Sequence, residues 1–188
     1  MADWAALIAA CNQCTRCGLC ETRNNVVFGI GNENADILFV GEGPGEQEDL
    51  QGIPFVGPAG KLLDDMLSII DLDRNYNCYI ANIVKCRPPR NRDPLETEQE
   101  ACIGYLRHQV ALIKPKVIVC LGRIAAKKLI DADYRITRQH GQWVQKKGIW
   151  MTAIYHPSAL LRDVSKRPET FQDLLSIRAK LHEIGADV

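Results

Sequence analysis

The sequence contains no run of apolar residues that approaches the length of about 18 needed for a membrane-spanning helix. Residues 1–4 contain no basic residue, whereas a secretory signal begins with a basic segment that is followed by an apolar one. There are no internal repeats and no low-complexity segments. At 188 residues, 46% hydrophobic and 24% charged, the chain is long enough to bury one core. We therefore expect one domain over residues 1–188, soluble and cytoplasmic, with no membrane partner.

The chain also has no net charge, because 23 Lys and Arg balance 23 Asp and Glu. A neutral total weighs against a nucleic-acid partner, since binding to phosphates depends on Lys and Arg. The charges are nevertheless clustered. Acidic residues gather at 42–49 and 93–100, and basic residues at 85–92, 127–128, 135–138, 146–147 and 162–167. These clusters are consistent with a basic binding face and equally with ordinary solvated surface.

Cysteine, by contrast, is abundant: eight residues occur without a secretory signal, which favours ligation of a metal or cluster over disulfides. Four of them stand three apart near the N-terminus: Cys11, Cys14, Cys17 and Cys20. A second arrangement combines two N-terminal cysteines with two distant ones: Cys14, Cys17, Cys86 and Cys102. Four thiolates suit either a [4Fe–4S] cluster or structural zinc, and their spacing does not separate the two. Cys78 and Cys120 lie in apolar runs and are expected to be simple buried side chains.

Short apolar runs alternate with longer amphipathic ones, which is typical of the strands and crossover helices of a mostly parallel sheet. Four runs rich in Ile, Val or aromatic residues predict strands at 36–40, 78–84, 116–121 and 150–155. Helices are predicted at 60–70, 95–113, 123–130 and 169–184. The sequence therefore predicts an α/β fold with a cysteine-bearing N-terminal arm.

Three predicted strands end in groups suited to a ligand, and ligands of open parallel sheets bind outside the carboxyl ends of the strands. The glycine-rich segment 41–45 follows the first strand; it is not a dinucleotide-binding turn, because Glu46 stands where that motif needs glycine. Asn82 lies in an apolar run, so its amide is either bonded to the backbone or free for a ligand. Pro157 biases His156 toward extended backbone. We expect these groups to converge in one crevice, although each alone also suits an ordinary structural role.

Taken together, these segments resemble family 4 of the uracil-DNA glycosylase superfamily, the iron–sulfur branch. The motifs run in the family's order and read GEGPGEQED with GIPFVG at 41–57, NIVKCRPP at 82–89 and HPSALLR at 156–162. The resemblance covers about residues 14 to 162. It implies a three-layer α/β/α sandwich with a central four-stranded parallel sheet. The implied activity is hydrolysis of the N-glycosidic bond of uracil in DNA, which leaves an abasic site.

The same resemblance implies a structural [4Fe–4S] cluster, with Cys14, Cys17, Cys86 and Cys102 as its ligands. Cys11 and Cys20 are additional to that pattern. The implied partner is uracil-containing DNA, single- or double-stranded, and we expect the protein to act as a monomer.

Site roles follow from the resemblance and from the chemistry that the reaction needs. His156 would donate to uracil O2 as the leaving anion forms, and Glu42 would position water. Asn82 would read O4 and N3–H, since a carboxamide both donates and accepts. The other expected base contacts are stacking on Phe55, backbone N–H groups near Gly43 and Glu48 at the edge where thymine carries its methyl group. The expected DNA contacts are Ser158, an apolar wedge of Leu160 or Leu161, and Arg162.

Two other functions compete with this one. An electron carrier would use the cysteines for redox, but it would leave Asn82, Phe55 and the His156 segment unexplained. A zinc-stabilised, non-catalytic DNA-binding module would explain the cysteines, but the neutral net charge does not favour it.

Overall fold

The computed structural model describes residues 3–188. Its helices are α1 (Trp4–Asn12), α2 (Glu46–Gln51), α3 (Pro58–Ile69), α4 (Glu96–Ile113), α5 (Arg123–Leu129), α6 (Ile136–Gln139), α7 (Pro157–Arg162) and α8 (Arg167–Glu183). Its strands are β1 (Ile30–Gly31), β2 (Ile37–Gly41), β3 (Cys78–Asn82), β4 (Val117–Leu121), β5 (Val144–Lys146) and β6 (Ile149–Ile154). Short 3₁₀ turns lie at Gly18–Glu21, Pro89–Asn91 and Val164–Lys166. Within this range, no helix combines the length and apolarity needed to cross a membrane.

The strands form one mixed sheet, and the predicted α/β class is confirmed. Their order is β1-β3-β2-β4-β6-β5. The neighbours β3, β2, β4 and β6 are parallel, and they overlap the four predicted strands, with bounds that differ by one or two residues. β1 and β5 extend the sheet at its edges in antiparallel pairing. The sheet of residues 3–188 therefore has six strands rather than the four expected, because two short edge strands escaped prediction.

Burial explains why the inner strands appear as continuous apolar runs. Every residue of β2, β3 and β4 is buried, as expected for strands covered on both faces. One core cluster joins the sheet to α1, α4 and α5. A second joins its opposite face to α3 and α8. The helices therefore enclose the sheet from both sides and leave its carboxyl edge accessible.

The parallel register brings the predicted strand ends together at this edge. Gly41 at the end of β2 is paired with Asn82 at the end of β3. On the other side, Leu121 of β4 pairs with Ile154 of β6, two residues before His156. Glycine at position 41 leaves this space free, because an added Cβ would clash with Asn82 Oδ1 and lie 2.7 Å from Phe55 Cζ. The fold thus makes room at this edge for two of the predicted site residues.

Candidate active site

A crevice of about 600 Å³ opens at the carboxyl edge of the sheet. Ligand pockets typically measure about 300–1,000 Å³. The structure brings eight of the predicted catalytic, base-contacting and DNA-contacting residues to its walls: Glu42, Gly43, Glu48, Phe55, Asn82, His156, Ser158 and Arg162. Residues from the ends of three strands (β2, β3 and β6), from the helices α2 and α7 and from the turn before α3 therefore meet in one cavity.

Asn82 places an unpartnered acceptor in this crevice. The residue is 2% exposed, yet its Oδ1 has no hydrogen-bond partner. In the described part of the chain, Thr152 Oγ1 is the other buried side-chain atom in this state, and Thr152 does not line the crevice. A buried polar group without a partner costs about 1–3 kcal/mol. The carboxamide of Asn82 is therefore available to bind a ligand.

His156 is held as a neutral ring with a defined tautomer. It is the N-cap of α7, and its Nδ1 accepts a hydrogen bond of 3.1 Å from the Ser158 N–H. The Ser158 hydroxyl lies 2.8 Å from the same nitrogen. Burial, together with the charge of Arg162, lowers the pKa of His156 to about 4. Since Nδ1 is an acceptor, the proton of the neutral ring resides on Nε2, which is left as a donor.

Phe55 adopts a backbone conformation that is unusual for a residue with a side chain. Its φ is 53°, in the left-handed region. The buried Arg74 holds this turn, because its guanidinium donates to Pro54 O and to Phe55 O, each at 2.9 Å. The Phe55 ring lies 5.6 Å from the His156 ring, centroid to centroid. Sequence reasoning missed Arg74, since an arginine in a polar turn gives no sign of inward contacts.

Replacing Arg74 should destabilise the protein far more than replacing an exposed arginine. Arg74→Met leaves two backbone carbonyls without their donor, so we expect a loss of about 2–4 kcal/mol in the free energy of unfolding. Arg178→Met removes an exposed ion pair with Asp71 and should cost less than about 1 kcal/mol. Denaturant unfolding of both variants measures the difference, and equal stabilities would contradict the role given to Arg74.

Glu48 supports the same turn from the other side. Its Oε1 accepts hydrogen bonds of 2.9 Å from the N–H groups of Val56 and Gly57. These N–H groups stand at the start of α3, where a carboxylate is also favoured by the helix dipole. The carboxylate therefore holds the Phe55 turn in place. Its expected role in rejecting thymine stays a prediction.

Glu42 is a carboxyl group with an unusual acidity. Burial, and then the charge of Asp93, raise its pKa to about 7, although Arg123 and Arg162 act in the opposite direction. Asp93 and Arg123 form an ion pair and also line the crevice. Glu42 therefore changes its charge close to neutral pH.

The structure corrects one of the predicted DNA contacts. The segment after His156 is the helix α7, so its consecutive leucines point in different directions. Leu160 is 1% exposed and belongs to the core, so its assignment as a wedge was wrong. Leu161 is 43% exposed and remains available for contact with DNA.

A second, smaller cavity is surrounded by six thiols. Its walls include Cys11, Cys14, Cys17, Cys20, Cys86 and Cys102. Two sulfur atoms accept hydrogen bonds: Cys102 from the Lys85 N–H at 3.2 Å, and Cys86 from the Arg23 guanidinium at 3.4 Å. Cys78 and Cys120 are fully buried within β3 and β4, as predicted. The eight cysteines all lie within residues 3–188, and no disulfide joins any of them.

The Cys14 thiol differs in acidity from its neighbours. Burial raises its pKa, but hydrogen bonds from Tyr105 and the Arg16 backbone outweigh this, and the pKa lies below its usual value. Burial raises the pKa of Cys11 to about 12 and that of Cys102 to about 11. In residues 3–188, no three His, Cys, Asp or Glu side chains are arranged to hold a single metal ion. Six of the eight thiols thus surround one cavity.

Comparison with known proteins gives a consistent result. A family model described as the uracil DNA glycosylase superfamily matches residues 28–177. A type-4 uracil-DNA glycosylase of Archaeoglobus fulgidus is 48% identical over 174 residues, covering 87% of this chain and 86% of that protein. One from Thermotoga maritima is 46% identical over 157 residues, covering 81% and 80%. A type-5 uracil-DNA glycosylase of Pyrobaculum aerophilum is 36% identical over 84 residues, covering 44% of this chain and 37% of that protein.

Proposed function

The chain belongs to the uracil-DNA glycosylase superfamily, on its type-4 branch, and from this premise we propose that it excises uracil from DNA. It hydrolyses the N-glycosidic bond, releases free uracil and leaves an abasic site. The observation that carries the proposal is the buried, unpartnered Asn82 Oδ1 in a crevice shared with His156. The test is release of free uracil from an oligonucleotide with one uracil. The matched control carries cytosine at the same position and should release nothing.

Uracil inside a duplex is out of reach of this crevice, so the nucleotide must be extruded. Extrusion costs a few kcal/mol of stacking and pairing. The exposed Leu161 fills the gap left in the duplex, and Arg162 contacts a phosphate nearby. Phe55 stacks on the extruded base. Its fixed turn supports this role, because a ring held in one place loses little freedom on binding.

Asn82 selects uracil over cytosine through its hydrogen-bonding pattern. Its Oδ1 accepts from uracil N3–H, and its amide N–H donates to O4. Cytosine presents an acceptor at N3 and a donor at N4, so neither group would be paired while the carboxamide keeps Oδ1 toward N3. That penalty is large enough for strong rejection.

His156 stabilises the leaving group. As the glycosidic bond breaks, negative charge develops on uracil O2, and the Nε2–H of the neutral imidazole donates to it, together with backbone N–H groups near Gly43. One donor of this kind is worth about 3–4 kcal/mol. Ser158 supports the step through Nδ1, which fixes the tautomer that carries a proton on Nε2.

In its ionised, carboxylate form, Glu42 positions the attacking water. Since the pKa of Glu42 is about 7, we expect kcat/KM to rise with pH through this value as the free enzyme loses the proton. Glu42→Gln should lower kcat/KM and remove the rise. Asp93→Asn should move the rise to lower pH, because the Asp93 charge raises the pKa of Glu42. If kcat/KM of Glu42→Gln still rose with pH through the same value, the rise would belong to another titrating group.

We propose further that Cys14, Cys17, Cys86 and Cys102 hold a [4Fe–4S] cluster. The six thiols around one cavity support a site with four cysteine ligands, and the resemblance to family 4 implies a [4Fe–4S] cluster there rather than zinc. When bound, the cluster supplies a structural cross-link. These cysteines would then tie the N-terminal arm to α4 and to the loop after β3.

Substitution of single cysteines tests this ligand set. Cys86→Ser should lose most of the iron and acid-labile sulfide and the visible absorbance of the cluster. Cys20→Ser, which lines the same cavity, should keep about four iron atoms per chain. Iron and sulfide analysis measures both. Zinc in place of iron, or loss of iron from Cys20→Ser alone, would contradict the assignment.

We also propose that residues 1–188 form one domain that acts as a monomer in the cytoplasm. The continuous sheet between two core clusters supports the single domain. The abundance of cysteine, which ligation of a cluster explains better than disulfides, supports a reducing compartment. Sedimentation of the purified chain tests the monomer.

A further inference from the structure

Lys85 carries a buried charge that the proposed chemistry does not use. The residue is 1% exposed, and none of the ion pairs formed within residues 3–188 includes it. Its Nζ donates instead to Asn82 O at 3.0 Å and to Gln109 Oε1 at 2.7 Å. Burial of an ammonium without a carboxylate is costly, and an apolar side chain would fill the space without that cost. Lys85 lines the cysteine cavity, where the thiolates of the proposed cluster would offset part of this cost, but both hydrogen bonds of its Nζ go to neutral carbonyl oxygens, one of them in the backbone of Asn82.

The side chain of Lys85 fixes the peptide group that follows Asn82. The carbonyl oxygen of this peptide accepts from Lys85 Nζ, and its N–H, on Ile83, donates to Gly41 O at 2.9 Å. Both polar atoms of the peptide are thus held, one on each side. Because this peptide is joined to the Cα of Asn82, its orientation sets the direction from which the carboxamide enters the crevice.

The backbone of Lys85 is attached to the cysteine cavity. Its N–H donates to Cys102 Sγ at 3.2 Å, and the next residue is Cys86. Gln109, which binds Nζ, lies on the same helix as Cys102, α4, two turns further on. Gln109 is itself fully buried and donates to Phe28 O at 2.9 Å. Helix α4 therefore holds both ends of Lys85.

We propose that Lys85 is a positioning residue for base recognition, which joins the cysteine-bearing segment to the peptide that orients the Asn82 carboxamide. The inference rests on the proposed function of the crevice. Without the ammonium, the Asn82 carbonyl loses its donor and the carboxamide loses its fixed direction. An error of about 1 Å in such a contact reduces rates by about 100-fold.

The test replaces Lys85 by Met, alone and together with Asn82→Ala. Lys85→Met should slow single-turnover excision of uracil by about 10- to 100-fold and weaken inhibition by free uracil, while iron per chain stays at the wild-type value. If Lys85 acts through Asn82, the double variant should be within about twofold of Asn82→Ala alone, because the two effects are then not additive. Lys114→Met removes an exposed lysine from the end of α4 and should match the wild type.

Several outcomes would overturn the inference. A wild-type excision rate for Lys85→Met would overturn it. So would a double variant whose loss of rate equals the product of the losses in Lys85→Met and Asn82→Ala. If Lys85→Met does not fold or loses its iron, Gln109→Met replaces it in the test. This variant keeps the lysine but removes the Gln109 Oε1 acceptor, which holds Lys85 Nζ beside Asn82 O. We expect this variant to keep its iron and to lose about 3- to 10-fold in rate. A wild-type rate for Gln109→Met would overturn the inference, whereas a wild-type protein that releases no uracil would reject the proposed function instead.

Discussion

His156→Ala should lower the single-turnover rate of uracil excision by about 100- to 1,000-fold. The imidazole is the donor placed to stabilise the charge on O2, and its neutral state follows from a pKa of about 4. The enzyme therefore uses a neutral donor at every pH from about 5 upward, and the loss should be the same across that range. Single-turnover measurements with enzyme in excess isolate this step from product release.

Ser158→Ala provides the matched comparison for His156. It removes the hydroxyl 2.8 Å from Nδ1 but keeps the backbone N–H that donates to the same atom. The tautomer is then still favoured, so we expect a loss of only about 2- to 10-fold. A rate for His156→Ala close to that of the wild type would remove this histidine from the mechanism.

Asn82→Ala should combine a large loss of activity with no loss of stability. We expect excision to fall by about 100- to 1,000-fold, because the base loses its two contacts along the N3–O4 edge. The Oδ1 atom has no partner in the free protein, so its removal should leave the free energy of unfolding unchanged or raise it by about 1 kcal/mol. Rates and denaturant unfolding of the same preparation measure both effects. A substitution that lowers activity without lowering stability is expected at a polar group whose hydrogen-bond partner is the ligand.

Thr152→Val is the control for Asn82→Ala. Thr152 Oγ1 is also buried without a partner, but it lies outside the crevice. Its replacement by an apolar group of the same shape should preserve or increase stability and leave excision unchanged. If Asn82→Ala destabilised the protein as strongly as Arg74→Met, the carboxamide would have a structural role instead.

The parts of the fold that follow from burial could be predicted from the sequence. β2, β3 and β4 are buried on both faces, so their composition alone distinguishes them. β5 is exposed at all three of its positions and gives no apolar signal. β1 has two residues, too few for a pattern. Edge strands of this kind depend on a neighbour for their hydrogen bonds, which the local sequence does not encode.

The candidate site was predictable where one residue carries the chemistry and was not where residues act through the backbone. Asn82 was conspicuous as an amide in an apolar run, and His156 as a histidine before a proline. Arg74 binds two carbonyl groups about twenty residues away in sequence, and no local pattern indicates such contacts. Leu160 and Leu161 differ in burial only because α7 is helical, and no helix had been predicted at 157–162.

The most direct measurement is a crystal structure of the protein with free uracil. We expect the base to lie against Phe55, with Asn82 Oδ1 about 2.9 Å from N3 and His156 Nε2 about 2.9 Å from O2. Asn82 Oδ1 would then have the partner that it lacks in the free protein. Uracil bound elsewhere, or bound in the crevice with Asn82 Oδ1 still unpartnered, would contradict the recognition of uracil by this carboxamide.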